Sequence, residues 1–444
     1  MTADADRDRA PVQPGPDQLA PGQPVPESPA PVHPGLAQPA LDQTERVILR
    51  SAEEGPGSRG EVVVVGDTTG ELTAAALART EKHAGARVWS WNVSHAESAA
   101  LTERFAAQCA NGRLRVAGGD QPLDLEEFLA EAEANLVLMR LPKALAALDD
   151  LARRLAAHAR TTGGEDVTVI AGGRVKHMTR SQNEVLASSF TEVRASRGIG
   201  KSRALIASGP RPEAPAPQPA AGTARLSVRG VLRKLSLHGI GGVFGGARAD
   251  AGSMLLLERL DRSVSAGETT AGSAIDLGCG NGLLTAYLAA ALPEAQVLGS
   301  DDDAEAVAST RATLEASGLT RDAVRVTWDH SLAREETGSA DLVLLNPPFH
   351  DGTVIDATLV QELLDAAARV LRPRGQLWFV HNSHLRYRPE VEARIGATRQ
   401  QARDRRFTVL SAVRDWAWSA TERGGGTVRG GGTERGRAVA RPSG

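Results

Sequence analysis

Residues 274–288 read AIDLGCGNGLLTAYL. Ala274–Leu277 is apolar apart from Asp276 and is expected to be a short strand. Gly278, Gly280 and Gly282 then give a flexible loop, and Leu283–Leu292, rich in Ala and Leu, is expected to be a helix. A strand, a glycine loop and a helix in that order open a parallel α/β unit. Downstream, strands are expected at Gln296–Ser300, Val324–Trp328, Leu342–Leu345, Gln376–Val380 and Phe407–Val413. Helices are expected at Ala304–Ser317, closed by Gly318, and at Val360–Leu371, closed by Pro373 and Gly375. The alternation argues for a doubly wound parallel sheet.

An earlier stretch echoes this one. VVVVGDTTGELTAAAL (62–77) lies against AIDLGCGNGLLTAYL, matching Gly66 to Gly278, Gly70 to Gly282 and Thr73 to Thr285. ANLVLMRLPK (134–143) lies against ADLVLLNPPF (340–349) in the same order. A duplicated domain explains two ordered matches better than chance likeness between α/β domains. The differences are informative. Asp276 faces Val64, Gly280 faces Thr68, and Asn346-Pro347-Pro348-Phe349 faces Arg140-Leu141-Pro142-Lys143. The first copy is therefore expected to keep the fold and to lack the chemistry.

Composition divides the 444 residues further. Residues 1–44 form a Pro-rich head, expected to be disordered because it has too little apolar surface to offset ordering entropy. The first copy spans 45–206. A second Pro-rich run, 207–222, is expected to be an extended linker. The second copy spans 223–420, and 421–444 is a Gly/Arg tail expected to be flexible. No run of apolar residues is long enough for a membrane helix, and the N-terminus lacks a secretory h-region. Two cysteines, Cys109 and Cys279, are too few for a disulfide framework or a thiolate metal cluster. A reduced, cytoplasmic setting and a metal-free site are expected. The formal net charge is −3, but residues 171–238 carry twelve Lys/Arg against three Glu, and 385–444 carry thirteen Arg against six acids. These segments suit a polyanion, or are simply solvated arginines.

The second copy holds two chemical motifs. Asp276-Leu277-Gly278-Cys279-Gly280-Asn281-Gly282 spaces its glycines as G-x-G-x-G, not as the dinucleotide fingerprint. An acid on this loop repels a pyrophosphate and attracts a cation, such as the ammonium and sulfonium of S-adenosylmethionine. Asp301, at the end of the next strand, can accept hydrogen bonds from ribose hydroxyls, and Asp329, ending the one after, can accept from the adenine amino group. An isolated Asp is as often a helix N-cap, and Asp303 is expected to be one. The second motif is Asn346-Pro347-Pro348-Phe349-His350. Two prolines stiffen the turn and hold Asn346 extended. The Asn346 amide oxygen and the Pro347 carbonyl can then accept both hydrogens of an exocyclic amino group, turning its lone pair toward a methyl donor. Phe349 can stack on the base. His350 lines the pocket or caps a turn. The transfer needs positioning more than acid–base help.

On these segments, with GGVF (241–244), SDDDAEAVASTR (300–311), VHNSHLRY (380–387) and RFTVLSAV (406–413), the chain resembles bacterial ribosomal RNA guanine-N2 methyltransferases. Their fold is α/β, with two tandem Rossmann-like class I methyltransferase domains, the N-terminal one degenerate, the C-terminal one a "methyltransferase small" domain. The resemblance covers roughly 45–415. It implies S-adenosylmethionine as cofactor, bound by Asp276, Gly278, Gly280, Gly282, Asp301 and Asp329. It implies that Asn346 to Phe349 grip the target base and that Phe244 lies near cofactor or substrate. The run Ser300-Asp301-Asp302-Asp303 is more acidic than usual and leaves open whether Asp302 shares the ribose. The implied partner is ribosomal RNA or a ribosomal subunit, met by a monomer. Arg229, Arg233 and Lys234, in the first basic segment, are expected to hold RNA phosphates. Alternative readings keep the Asn-Pro-Pro grip but change the acceptor to adenine N6 or a protein glutamine, or make the chain a noncatalytic RNA-binding assembly factor. A dinucleotide oxidoreductase fits the glycine spacing worse than any of these.

Overall fold

The computed structural model describes residues 41–55, 60–83, 85–119, 124–161, 167–348 and 357–415. The expected head lies outside the described residues but for 41–44, and the expected tail lies outside them entirely. The first copy runs α1 (Gln43–Glu54), β1 (Glu61–Val65), α2 (Glu71–Thr80), β2 (Val88–Trp91), α3 (His95–Arg104), α4 (Ala106–Ala110) and β3 (Leu114–Val116). It continues with α5 (Leu125–Phe128), β4 (Ala134–Arg140), α6 (Leu145–Thr161), β5 (Thr168–Arg174), α7 (Arg180–Ser189), β6 (Phe190–Ala195) and β7 (Ser202–Pro210). The second runs β8 (Ala220–Val228), β9 (Val231–Gly239), α8 (Ala251–Ser265), β10 (Ser273–Leu277), α9 (Leu283–Ala291), β11 (Gln296–Asp301) and α10 (Ala304–Ala316). It ends with β12 (Val324–Trp328), β13 (Ala340–Leu345), α11 (Ala357–Val370), β14 (Leu371–Asn382), α12 (Arg388–Arg394), β15 (Thr398–Arg403) and β16 (Phe407–Val413).

Each copy builds one seven-stranded sheet, ordered β3-β2-β1-β4-β5-β7-β6 and β12-β11-β10-β13-β14-β16-β15. Five strands are parallel, and the last two join antiparallel. The central strands are covered on both faces, so their sequences are apolar runs rather than alternations, as in Val62–Val65 and Leu342–Leu345. Strand order reverses between β1 and β4, and again between β10 and β13. The crevice beyond the carboxyl ends of such a pair is where an open α/β sheet binds its ligand.

Two expectations need correction. The linker expected over 207–222 is shorter, because β7 continues to Pro210 and β8 begins at Ala220. Pro210 ends the strand opposite Phe190, at the position where a missing N–H matters least. The helix expected to end at Leu371 stops at Val370, and Pro373 and Gly375 lie inside β14 rather than closing the helix. Arg374 adopts a left-handed φ of 69° there, and the pairing of β13 with β14 shifts register between Ala340 and Leu342. The strand thus bulges around the proline.

The copies meet at equivalent loops. Ser94 N-caps α3 and Asp303 N-caps α10, and the two residues form an isolated antiparallel bridge. The amide of His95 donates to the Asp302 carbonyl and that of Ala304 to the Val93 carbonyl, both at 2.8 Å. The Asp302 carboxylate accepts from the Ser94 hydroxyl (2.6 Å) and the Ala96 amide (2.9 Å). The Trp328 indole donates to the Val93 carbonyl at 3.1 Å. The repeat therefore pairs with itself about a local pseudo-two-fold axis.

The hairpin β8–β9 lies over α8 and α10. Arg229 and Gly230 form its tip with φ of 53° and 77°. Asp261 of α8 anchors that tip, accepting from the Ser227 hydroxyl (2.5 Å), the Arg229 amide (2.6 Å), the Gly230 amide (3.1 Å) and the Tyr287 hydroxyl (3.0 Å). Burial pushes the Asp261 carboxyl up, but these bonds bring it net below its ordinary value. An acid with a lowered folded pKa adds stability above its unfolded pKa and loses it as pH falls through the folded one. Replacing Asp261 with Ala is expected to cost about 2–4 kcal/mol at neutral pH, with a smaller loss under strongly acid conditions; urea unfolding at both pH values measures it.

Candidate active site

The second copy gathers its chemistry at the carboxyl ends of β10, β11, β12 and β13. Asp276 sits on β10, fully buried, with Oδ2 accepting from the Thr285 hydroxyl at 2.6 Å. Its Oδ1 is buried with no hydrogen-bond partner. Gly278 and Gly280 turn the following loop at φ of 81° and 53°, and a Cβ on either would face open space, so backbone there is bare toward a ligand. Gly282 N-caps α9, and a Cβ there would strike the Thr310 backbone at 2.8 Å.

Asp301 ends β11. Its Oδ2 accepts from the Gly280 amide (2.9 Å) and its Oδ1 from the Asp303 amide (3.0 Å), so the carboxylate lies against the glycine loop. Asp303 is the N-cap the sequence suggested, accepting from the amides of Glu305 and Ala306. Asp302 turns toward the first copy. It is taken up by Ser94 and Ala96 of the first copy. Asp329 follows β12, buried, with Oδ2 on the Arg334 amide (3.1 Å) and Oδ1 unpartnered. Arg334 in turn donates to the Gly119 carbonyl of the first copy at 2.9 Å. The first copy thus braces Asp301 and Asp329 through their neighbours Asp302 and Arg334.

Asn346 ends β13. Its Nδ2 donates to Asp250 Oδ2 (3.0 Å) and Ser253 Oγ (2.8 Å). A carboxylate only accepts, so this contact settles which amide atom faces it and leaves Oδ1 for another partner. Asp250 is also the N-cap of α8, accepting from the Ser253 amide at 2.8 Å. Pro347 is buried and Pro348 exposed beside it. Phe349 and His350 lie outside the described residues. Phe244 is 42% exposed on the 240–249 loop. Asn281 of the glycine loop ties that segment down, donating to the carbonyls of Gly246 and Arg248, both at 2.8 Å.

Asp250, Ser253 and Asn281 were missed from sequence. The first two carried a signal, an Asp-x-x-Ser cap ahead of a helix. The first copy has the same device, with Asp42 capping α1 and Glu45 three residues on. There the caps face Arg140, which stands at the Asn346 position and pairs with both acids. Val64 replaces Asp276 within the apolar core. Asn92 follows β2 as Asp301 ends β11, and it closes on Asp67 through both amide atoms. Asp67 accepts from the Gly70 amide and from the amide and hydroxyl of Thr73. The first copy's loop is satisfied from within, whereas the second copy leaves acceptors open.

Arg229, Arg233 and Lys234 are exposed but do not join this cluster. The hairpin tip is anchored at Asp261, eleven residues along α8 from Asp250, which at 1.5 Å per residue is about 16 Å from the catalytic edge. Val231 and Leu232 beside them are 57% and 71% exposed.

These donors fit S-adenosylmethionine. An orphaned carboxylate oxygen at Asp276 suits its ammonium, the bare Gly278–Gly280 backbone gives room for close approach, and Asp301 and Asp329 at the next two strand ends offer acceptors suited to hydroxyl and amino groups. Among the described residues no group of His, Cys, Asp or Glu is arranged to hold a metal ion. No helix among them is long and apolar enough to cross a membrane. Burial, reinforced by neighbouring carboxylates, pushes Asp276 and Asp301 up to about 7. Acids with raised folded pKa values withdraw stability as pH rises from the unfolded value toward the folded one, because the folded form must then carry buried charge. A bound cation reverses that cost. Affinity for S-adenosylmethionine is therefore expected to rise several-fold between pH 6 and pH 8 and then level off. Calorimetry across that range measures it, and Asp276→Asn should both weaken binding and flatten the profile.

Comparison with known proteins agrees with this arrangement. Residues 234–411 match the methyltransferase small domain, and residues 35–212 match the RLMG N-terminal domain. The ribosomal RNA large subunit methyltransferase G of Streptomyces coelicolor is 32% identical over 363 residues, covering 80% of this chain and 89% of that protein. Its Pseudomonas aeruginosa counterpart is 31% identical over 362 residues, covering 81% and 89%. A T. thermophilus 16S rRNA N2 methyltransferase, solved with AdoMet and guanosine, shares the tandem fold with a TM-score of 0.62 at 22% identity, covering 84% of this chain and 92% of that one. With cofactor acids, glycine loop and Asn-Pro-Pro turn assembled in one copy only, the chain belongs to the methyltransferase G family of S-adenosylmethionine-dependent class I methyltransferases.

Proposed function

We propose that the chain methylates the exocyclic N2 amino group of a guanine in ribosomal RNA, acting as a monomer in the cytoplasm on RNA or a ribosomal subunit. The observation that carries the reading is the clamp on Asn346, whose amide nitrogen is held by Asp250 and Ser253. Its Oδ1 and the Pro347 carbonyl can then accept the two hydrogens of a planar amino group. S-adenosylmethionine, when bound, supplies the electrophilic methyl. Asn346 and Pro347 orient the nucleophilic lone pair along the line of displacement, Phe349 stacks on the base, and the amino proton leaves to solvent after the new N–C bond forms. Asp276, Gly278, Gly280, Gly282, Asp301 and Asp329 hold the cofactor, and Phe244 lies over the pocket. The target guanine leaves its stack to reach Asn346. Arg229, Arg233 and Lys234, remote from the catalytic edge, hold phosphates of flanking RNA.

Incubation with undermethylated ribosomal RNA and subunits, followed by nucleoside mass spectrometry, is expected to yield N2-methylguanosine. Only N6-methyladenosine or methylglutamine would transfer the reading to another amino acceptor, and absence of any methylation with intact RNA binding would favour an assembly factor. Asn346→Ala should slow transfer about 100-fold or more while cofactor affinity stays within a few-fold. Asp250→Asn should keep the helix cap, since Asn caps as well as Asp. Its own amide lets Asn346 turn over, so kcat is expected to fall about tenfold with melting temperature and cofactor affinity unchanged. A matching loss of stability would mark Asp250 as a cap alone.

A further inference from the structure

Beyond the clamp on Asn346, the same sheet edge carries a second concavity. β13 pairs with β14 so that Leu345 faces Phe379. Asn346 is then level with Val380, and His381 is the next residue on the adjacent strand, on the order of 10 Å away or less at ordinary strand spacing. From His381 the chain turns through 383–389 into α12, and with β15 and β16 it encloses a cavity of about 590 Å³. That volume lies in the range of small-ligand sites. Its lining includes His381, His384, Arg386, Tyr387, Arg388 and Arg403, and no carboxylate.

The charges there are unequally committed. Arg388 is paired with Glu392 at 2.7 Å and donates to the Thr398 carbonyl at 3.0 Å. Arg403 donates to the Ser383 carbonyl at 3.3 Å. His384 and Arg386 are exposed, and neither has a hydrogen-bond or ion-pair partner among the described residues. The lining cations reach His381, which burial first, and then Arg403 and His384, hold below its ordinary pKa, while Glu390 lies behind Tyr387 on α12. The aromatic rings of His381 and Tyr387 meet edge to face at 5.6 Å, giving an apolar wall beside the guanidinium groups. The first copy keeps a basic corner at the equivalent place, with Arg174 ending β5, Lys176 beyond it, and Lys201 and Arg203 at the start of β7, all exposed. That corner persists although this copy has Val64 and Arg140 where the other has Asp276 and Asn346.

We infer that the cavity between the β14 turn and β15 is an RNA subsite that takes the phosphate and nucleotide adjoining the target base, with Arg386 and Arg403 on the phosphate. The inference rests on the reading of RNA as substrate and extends it to a second nucleotide. Held on the β14 side of Asn346, an adjoining phosphate fixes the strand's path so that the flipped base enters the turn.

The test uses the full chain and a fluorescein-labelled single-stranded RNA containing guanine, with anisotropy read at two or more salt concentrations and methylation followed on ribosomal RNA. Arg386→Gln with Arg403→Gln is expected to weaken RNA binding about tenfold and to lower the magnitude of the salt slope by about one or two. S-adenosylmethionine affinity should stay unchanged, showing that the fold is intact, and the KM for RNA should rise. Arg386→Gln alone, which breaks no internal bond, should give the same effect at smaller size. Arg325→Gln, on the amino-end side of β12, controls for a general loss of charge. RNA affinity and salt slope equal to those of the parent protein in both cavity variants would overturn the subsite. Wild-type binding of RNA without methylation would overturn the catalytic reading instead, leaving the anisotropy comparison to decide the cavity.

Discussion

A carboxylate at the carboxyl end of a buried parallel strand is the constraint around which this molecule is arranged. Asp276 stands fully buried on β10 with one oxygen satisfied by Thr285 and the other left open. An unpaired acceptor in that position costs roughly 1–3 kcal/mol. The first copy avoids the cost with Val64 at the same place in its apolar core. The second copy keeps the acid with its open oxygen, a cost that a bound cation would relieve. The surroundings keep that opening clear: bare glycines leave room, Asp301 folds back on the loop, and among the described residues no lysine or arginine pairs with the Asp276 carboxylate.

The two copies show how one scaffold is made inert or active by few side chains. Each places a capped helix beside the end of its fourth sheet strand. In one, Asp42 and Glu45 meet Arg140, and opposite charges close the slot. In the other, Asp250 and Ser253 meet an amide, which uses its donor end inward and leaves its acceptor end outward. The same geometry that neutralises a cation in one copy orients a hydrogen-bond acceptor in the other. The inert copy is not idle, since it occupies Asp302 and braces Trp328 and Arg334 next to the cofactor acids.

Basic surface is distributed by the same logic. The tip of β8–β9 is held to the carboxyl-end half of α8 by Asp261, so its arginines face outward far from the glycine loop. The β14 turn, by contrast, brings arginines to the catalytic edge because β14 runs parallel to β13. Strand direction, more than charge count, decides which basic segment lies beside the chemistry.

Much of this was legible in the sequence. Apolar runs of four to six residues followed by glycine or acid marked the parallel strands, since strands buried on both faces carry no polar positions except functional ones. The repeat was legible because Gly66, Gly70 and Thr73 answer to backbone and packing demands common to both copies. The acids at three successive strand ends were legible because parallel strands bring their carboxyl ends to one edge. What required the tertiary structure were contacts between residues distant in the chain. Nothing local ties Asp250 to Asn346, 96 residues away, or Asp302 to Ser94, 208 residues away. The antiparallel strands β6 and β15 were hidden for the opposite reason, since partly exposed edge strands such as Thr398–Arg403 lack the apolar run. Sequence by itself determined which residues could do chemistry and in which copy. Only the packing of α8 on β14 and β16, and of one copy's loop on the other's, decided which way their polar atoms point, because orientation depends on partners that chain order does not bring together.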